Sequence, residues 1–438
     1  VKTGVTLAGL LVVLGLSGCM QSLPQLDNST FLSTRETKEV SRADGSFTQD
    51  AEAPQSEVIS DLLARRSLLE NPSAYSTVAA AALASSSRAA EAELRSARLR
   101  ADAENKNWLP TLGPNVSLTS LSDLVAGILI EQVLFDNGRR KAERAFAAAD
   151  VEVAATNLSI DMNERVYTAL SLYTSAAQAD EQAALAGTAL TRMQGFERIV
   201  VGRVKGGVGD QSDQRVVEGK VNDMRWAVQT AKEAAATSRA ELSAMTGQSF
   251  AATGEPLVMA PPLRDAENLS ILLAQSEADR SIARATAERA GLLPTLTASA
   301  SVTNNNTIGA LGAKLDQPLG LGTGSQIKAI EASKDIAHRQ IDEARENARR
   351  DQSRLRQNLV SYRRQEVEAR KLAKASRETF RLFERQFQAG QRSVMDVVNV
   401  YEQLIEREKA YVRAKYQTYL TEFELARDLG ALADGDKI

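Results

Sequence analysis

Leu293-Pro294-Thr295-Leu296-Thr297-Ala298-Ser299-Ala300-Ser301-Val302 alternates apolar residues with small hydroxylated ones. A period of two is the pattern of a strand with one apolar and one polar face. Asn304-Asn305-Asn306 follows as a turn and Ile308 to Leu315 leads back, so a β-hairpin is expected over residues 295–318. Upstream, Leu109-Pro110-Thr111-Leu112 repeats the opening of this stretch. Val116, Leu118 and Ser120 then alternate with Ser117 and Thr119, and Val125 to Ile130 is nearly continuous apolar sequence. A second hairpin is expected there, over 113–135, closed by Gly138. The strands look short against the roughly 9–11 residues of a bilayer-spanning strand.

Around these insertions the chain is written for long helices. No proline stands between Pro114 and Pro256, and none follows Pro318. Proline breaks helix interiors, so two long tracts rich in Ala, Leu, Glu, Arg and Gln are expected to be helical. A helix from Arg139 to Val204 would be about 95 Å long. In the second tract Val394, Val398, Tyr401, Ile405, Val412, Tyr416, Tyr419 and Phe423 step mostly by four and three, a coiled-coil seam with Glu408 as its polar exception. Val151, Ala155, Leu158 and Met162 do the same in the first tract.

The two tracts are copies. Gly207, six residues before Asp213, recurs as Gly390 before Asp396, and Glu241-Leu242 with Gly247 recurs as Glu424-Leu425 with Gly430. These matches and the Leu-Pro pair share an offset of roughly 183–184 residues, the mark of a duplicated unit. The expected layout is a first repeat over 73–247, a linker over 248–266, a second repeat over 267–431 and a tail over 432–438.

The N-terminus carries an address. Lys2, the apolar run Val5 to Leu16 and then Leu16-Ser17-Gly18-Cys19 have the order of a secretory signal, expected at 1–18. Leu-Ser-Gly-Cys resembles a bacterial lipobox, which makes Cys19 the expected lipid attachment site. Met20 after it resembles sorting to the outer membrane. Residues 19–72, polar and punctuated by Pro24, Pro54 and Pro72, are expected to be a tether.

Composition excludes several functions. Of 438 residues 43% are hydrophobic and only 5% aromatic, and the net charge of −3, with both signs interleaved, gives no reason to expect a nucleic-acid partner. No later stretch is apolar enough to span a bilayer as a helix, so a membrane crossing by the mature chain must use strands. Four strands cannot close a barrel in lipid without leaving backbone groups unpaired, whereas three chains would supply twelve. One histidine, His338, and one cysteine, Cys19, leave no Cys/His metal cluster within a chain, and no cofactor is expected beyond the lipid on Cys19. Gly320-Leu321-Gly322-Thr323-Gly324 lacks the Gly-Lys-Ser/Thr ending of a phosphate loop and reads as a strand-to-helix turn. No enzymatic activity is expected.

Lipobox, duplicated helical halves, a hairpin after Leu-Pro in each half and the repeated Gly–Asp turn together resemble the TolC family of outer-membrane efflux and secretion ducts. The clearest segment is Phe387 to Val398, Phe-Gln-Ala-Gly-Gln-Arg-Ser-Val-Met-Asp-Val-Val, with Arg203 to Asp213 its counterpart. The resemblance implies a mainly α chain with a small β part: a long helical-barrel coiled coil, and two hairpins per chain contributing to a trimeric 12-stranded outer-membrane β-barrel. It implies a passive duct, lipid-anchored in the outer membrane and reaching into the periplasm. A periplasmic adaptor and an inner-membrane ABC or proton-driven transporter would serve it. By position it puts Phe387, Arg392 and Asp396 at the periplasmic aperture, and Gly206, Gly207, Asp213 and Gly390 in the adaptor-docking helix turns. Phe387 stands where relatives often have Tyr, and Asn399 where some have a second acid. Near a helix start, Ser393 and Asp396 also make ordinary capping sense. The Gln391 to Asp396 wording leans towards protein secretion and lipidation towards small-molecule efflux, so the cargo stays open. The other reading is a lipid-anchored periplasmic coiled-coil scaffold that transports nothing. Two matching hairpins distinguish them, because only a duct needs both.

Overall fold

A computed structural model describes residues 56–85, 89–120, 123–251, 254–261, 266–303, 307–315 and 320–438. The expected signal peptide, Cys19 and the tether up to residue 55 lie outside the described residues, as does the expected turn at 304–306. In chain order the elements are α1 (Glu57–Ala64), α2 (Ala74–Ala84), α3 (Ala89–Glu104), β1 (Thr111–Ser120), β2 (Asp123–Phe135), α4 (Arg139–Lys205) and α5 (Gln211–Thr246). The second half follows with α6 (Leu269–Gly291), β3 (Thr295–Thr303), β4 (Thr307–Lys314), α7 (Thr323–Gln388) and α8 (Val394–Asp428), and a 3-10 turn spans Gly435–Lys437. The repeat is visible element by element: α4 and α7 have 67 and 66 residues, α5 and α8 have 36 and 35.

The described residues form two compact units, one of strands (108–137 and 293–316) and one of helices. In the strand unit the two hairpins join into one antiparallel sheet in the order β1-β2-β3-β4. Thr111 pairs with Glu131, Glu131 with Ser299 and Thr295 with Lys314. The first hairpin begins at Thr111, two residues before the expected start, and the second ends at Lys314 rather than 318. Nor are the strands uniformly short: β1 and β2 have 10 and 13 residues, β3 and β4 have 9 and 8. Strand pairing extends a strand past the point where alternation in its own sequence fades.

In the helical unit α4 packs against α5 and α8, and α8 against α7; α4 also packs against α3 and α6, and α6 against α7. Alanines at Ala155, Ala169, Ala176 and Ala189 are fully buried on α4, where small side chains bring helices close. The expected seam holds. Val394, Val398, Tyr401, Ile405, Val412, Tyr416 and Phe423 are buried, and Tyr419 packs partly buried against the core. Glu408, the polar exception, accepts from Arg377 at 2.5 Å. No helix among the described residues is long and apolar enough to cross a membrane. His338 lies exposed on α7.

Two expectations are corrected. Residues 56–72 are not a tether, and 432–438 are not a free tail. Leu62 and Leu432 are 0% and 1% exposed and share one core cluster with Tyr75, Tyr173 and Phe423. Arg65, 3% exposed, donates to the Leu429 carbonyl at 2.7 Å, to the Glu267 carbonyl at 2.8 Å and to the Asp61 carboxylate at 2.7 Å. The Gly435 N–H closes back on the Arg65 carbonyl at 3.0 Å. Read locally, Arg65 is one charge in a polar stretch. Its meaning comes from carbonyls some 200 and 360 positions away in sequence.

Candidate functional site

Two parts of the chain answer to the predicted duct: the helix turns at one end of the α4/α5 and α7/α8 pairs, and the faces of the sheet.

The turns are near-identical. Gly207 (φ +71°) and Gly390 (φ +73°) take the left-handed conformation after each long helix. The Gly207 N–H donates to the Val204 carbonyl at 3.1 Å and the Val208 N–H to the Arg203 carbonyl at 3.0 Å. Gly390 and Gln391 repeat this on Phe387 and Gln386 at 2.9 Å each. Both are Schellman ends, which satisfy orphan carbonyls and need a left-handed residue. Gly206, expected to help make the turn, has φ −80°, and its counterpart is Ala389. Its backbone asks for no glycine. We expect Gly207→Ala and Gly390→Ala each to cost about 1–2 kcal/mol through the left-handed penalty, and Gly206→Ala to cost almost nothing, as read by thermal unfolding.

The next helices start on matched caps. Asp210 accepts from the Ser212 N–H at 2.9 Å. Ser393 caps α8 in a full capping box: its hydroxyl accepts from the Asp396 N–H at 3.1 Å, while the Asp396 carboxylate accepts from the Ser393 N–H at 3.1 Å and hydroxyl at 2.8 Å. Asp213 stands in the first turn of α5, as Asp396 does in α8. These bonds from Ser393, with a smaller contribution from Arg392, hold the Asp396 carboxyl below its ordinary range. A depressed folded value stabilises fully above the unfolded carboxylate range and is lost as pH falls through the folded value. Amide exchange at the start of α8 should therefore accelerate as pH drops below about 4, after correction for intrinsic exchange, and Asp396→Asn should flatten that dependence.

Phe387 is partly buried against the cluster of Val217, Val221, Val397 and Tyr401. The Arg392 guanidinium lies 4.6 Å from the Phe383 ring centre and donates to the Gln386 side chain at 3.2 Å. Arg392 and Asp396 are thus near neighbours at one turn, and Asp396 is engaged as a cap. Sequence reasoning missed the aromatic stack beneath: Tyr401 sits 6.0 Å from Phe196 and 4.8 Å from Phe380. Burial pushes the Tyr401 hydroxyl up to about 12. Also missed were the ion pairs between the duplicated halves, Arg192–Glu384 at 2.9 Å, Lys415–Glu181 at 2.7 Å and Lys220–Glu402. Such pairs join residues far apart in sequence, and no local pattern marks them.

The sheet has two chemically distinct faces. Register places Leu112 and Pro114 with Ile130 and Ile128, and these with Ala300 and Val302, then Gly309, on one side; Leu296, Ala298, Leu311 and Ala313 share that side. Leu112, Ile128, Ile308 and Leu311 are all more than half exposed in the single chain. Thr111, Asn115, Glu131, Thr295, Thr297, Ser299, Ser301 and Lys314 share the opposite side, with Leu129, Val133 and Ile308 as its large apolar exceptions. Within this chain β1 and β4 are sheet edges, with one row of backbone groups each left unpaired.

Residues 262–431 match the family model of the outer membrane efflux proteins. No curated protein sequence matches the chain. Among solved structures, a membrane protein from Pseudomonas aeruginosa superposes with a TM-score of 0.71 at 17% identity, covering 84% of this chain and 92% of that one. The outer membrane protein VceC from Vibrio cholerae gives a TM-score of 0.68 at 16% identity, with 81% and 96% covered. The Campylobacter jejuni CmeC outer membrane channel gives 0.68 at 12% identity, with 85% and 91% covered. The chain therefore carries an outer membrane efflux protein domain in its second half and has the fold of the TolC-family outer-membrane channels.

Proposed function

We propose that this chain is the outer-membrane duct of a tripartite export system. Three copies form it, anchored by lipid on Cys19, and it carries substrate passively from a periplasmic adaptor and inner-membrane transporter to the exterior. One observation carries the reading: a four-stranded sheet with a mainly apolar face, interrupted by Gln132 and Thr307, and two open edges. In water such a face and such edges invite aggregation. In lipid the face is satisfied at once, and the edges are satisfied when β4 of one copy pairs with β1 of the next. Both edges run antiparallel to each other, so this closure repeats the chain's own pattern. The polar face then lines a watery bore.

In this reading Gly207, Gly390 and the flanking residues Gly206 and Asp213 belong to the turns that meet the adaptor. Phe387, Arg392 and Asp396 narrow the aperture, with adaptor binding favouring the open state by differential affinity. The non-transporting scaffold is disfavoured because it leaves the apolar face without a use. The test is planar-bilayer conductance of the purified protein together with its mass in detergent. Step conductance from a trimer supports the duct. A monomer without conductance would return the scaffold.

A further inference from the structure

Along α7, Val360, Val367, Lys374 and Arg381 recur every seven residues. Arg356, Arg363, Arg370 and Arg377 recur at the same interval between them. Interleaved, the two series alternate steps of four and three, which is one straight stripe on a helix. A coiled-coil seam of this spacing normally holds apolar side chains; this one holds six cations and two valines, and Val360 and Val367 are 61% and 43% exposed. Part of the stripe is used within the chain. Arg363 donates to Glu422 at 2.6 Å, Arg377 to Glu408 at 2.5 Å, and Arg370 lies 5.9 Å from the Tyr411 ring centre. Arg356, Lys374 and Arg381 meet no carboxylate among the described residues. Beside the end of the stripe runs a groove of about 710 Å³, with Arg192 and Arg198 of α4 facing Arg377 and Arg381 of α7, and only Glu384 and Glu408 as acids.

We propose that this stripe docks an acidic amphipathic helix of a different protein. The proposal rests on the partnership with an adaptor inferred above and gives that partner its chemistry: apolar residues to cover Val360 and Val367, and carboxylates seven apart, about 10.5 Å along a helix. Flanking charges of this kind select partner and register. A second copy of this chain is a poor occupant. Another long helix of the chain, α5, balances five acids with five cations, and no two of its acids (Asp213, Glu218, Asp223, Glu233 and Glu241) stand seven residues apart. It therefore offers the stripe no matching row of carboxylates.

The test uses the full-length protein in detergent and a synthetic helical peptide with Leu and Glu at alternating three- and four-residue steps, beside its Lys counterpart. Fluorescence anisotropy should show the Glu peptide binding, at least tenfold more weakly in 0.5 M than in 0.1 M salt, and the Lys peptide not binding. The double variant Arg356→Glu/Lys374→Glu, which leaves the paired arginines alone, should lose at least tenfold in affinity. Equal binding of both peptides, unchanged affinity of the double variant, or equally tight binding of unstructured polyglutamate overturns the proposal. So does protection of a Val367→Cys variant from a soluble maleimide in the assembled protein, which would seat a second copy on the stripe. Conductance measured on the same preparation keeps the two readings apart: peptide binding without conductance sinks the duct and not the docking surface.

Discussion

Replacing Arg65 with Met should destabilise the helical unit by about 3–5 kcal/mol, the largest effect expected from a single residue outside the helical cores. The guanidinium is buried, and removing it leaves the carbonyls of Leu429 and Glu267 without their donor. A buried acceptor stripped of its partner costs about 1–3 kcal/mol; the Leu429 carbonyl is one, and the half-buried Glu267 carbonyl adds to it. Asp61 softens the loss only at the edge, because its side chain is 41% exposed and water can take over. Two glycines corroborate how tightly this point is packed. A Cβ on Gly430 (φ +62°) would lie 2.7 Å from the Arg65 Nη1, and one on Gly435 would collide with the Leu62 carbonyl. Arg65→Met and Gly435→Ala should therefore both lower the melting temperature steeply, while Arg66→Met, one residue away and exposed, should not. Equal melting of the Arg65 and Arg66 variants would show that the clasp contributes nothing.

The second large effect concerns the sheet. Ala300 and Ser301 are neighbours in β3, and register puts Ala300 with Ile130 and Gly309, Ser301 with Leu129 and Ile308. If the apolar face meets lipid, Ala300→Arg places a guanidinium in the hydrocarbon at about 2–4 kcal/mol near the midplane. Ser301→Arg places the same group in water at little cost. Assembly into outer-membrane trimers should fall roughly 30- to 1000-fold for the first and hardly at all for the second. The readout is the heat-modifiable band of membrane fractions. Identical behaviour of the two variants would remove the physical basis for a lipid-facing side. Adjacent positions of one strand make this comparison robust, because propensity and expression change alike.

Much of this architecture was legible locally. Absence of proline set the two long helices, and α4 ends at Lys205, one residue beyond the position expected. Steps of three and four named the buried side of α8 almost residue by residue. Alternation after Leu293-Pro294 named β3, and the offset of roughly 183–184 residues announced that every element would occur twice. These are periodic or repeated signals, carried by neighbours in the chain. The turns are half legible: the sequence marks Gly390 and the Gly206-Gly207 pair, but a Gly-Gly pair does not say which member turns, and only Gly207 takes the left-handed conformation. The sequence around Asp396 fits both an aperture acid and a helix cap, and the structure shows its carboxylate bonded in the capping box.

What the linear order could settle by itself was the period of each segment, since a helix or strand buries the face its own spacing creates. It also settled that one unit was written twice. Tertiary structure alone decided that the two hairpins share a single sheet, with Glu131 opposite Ser299 of the other half. It likewise decided that Arg65 belongs to the core, and that α7 carries a stripe of cations only partly answered by α8. Each of those depends on which distant groups come within a few ångströms. Hydrogen bonds and ion pairs act at that range and leave no periodic trace for a reader of neighbours.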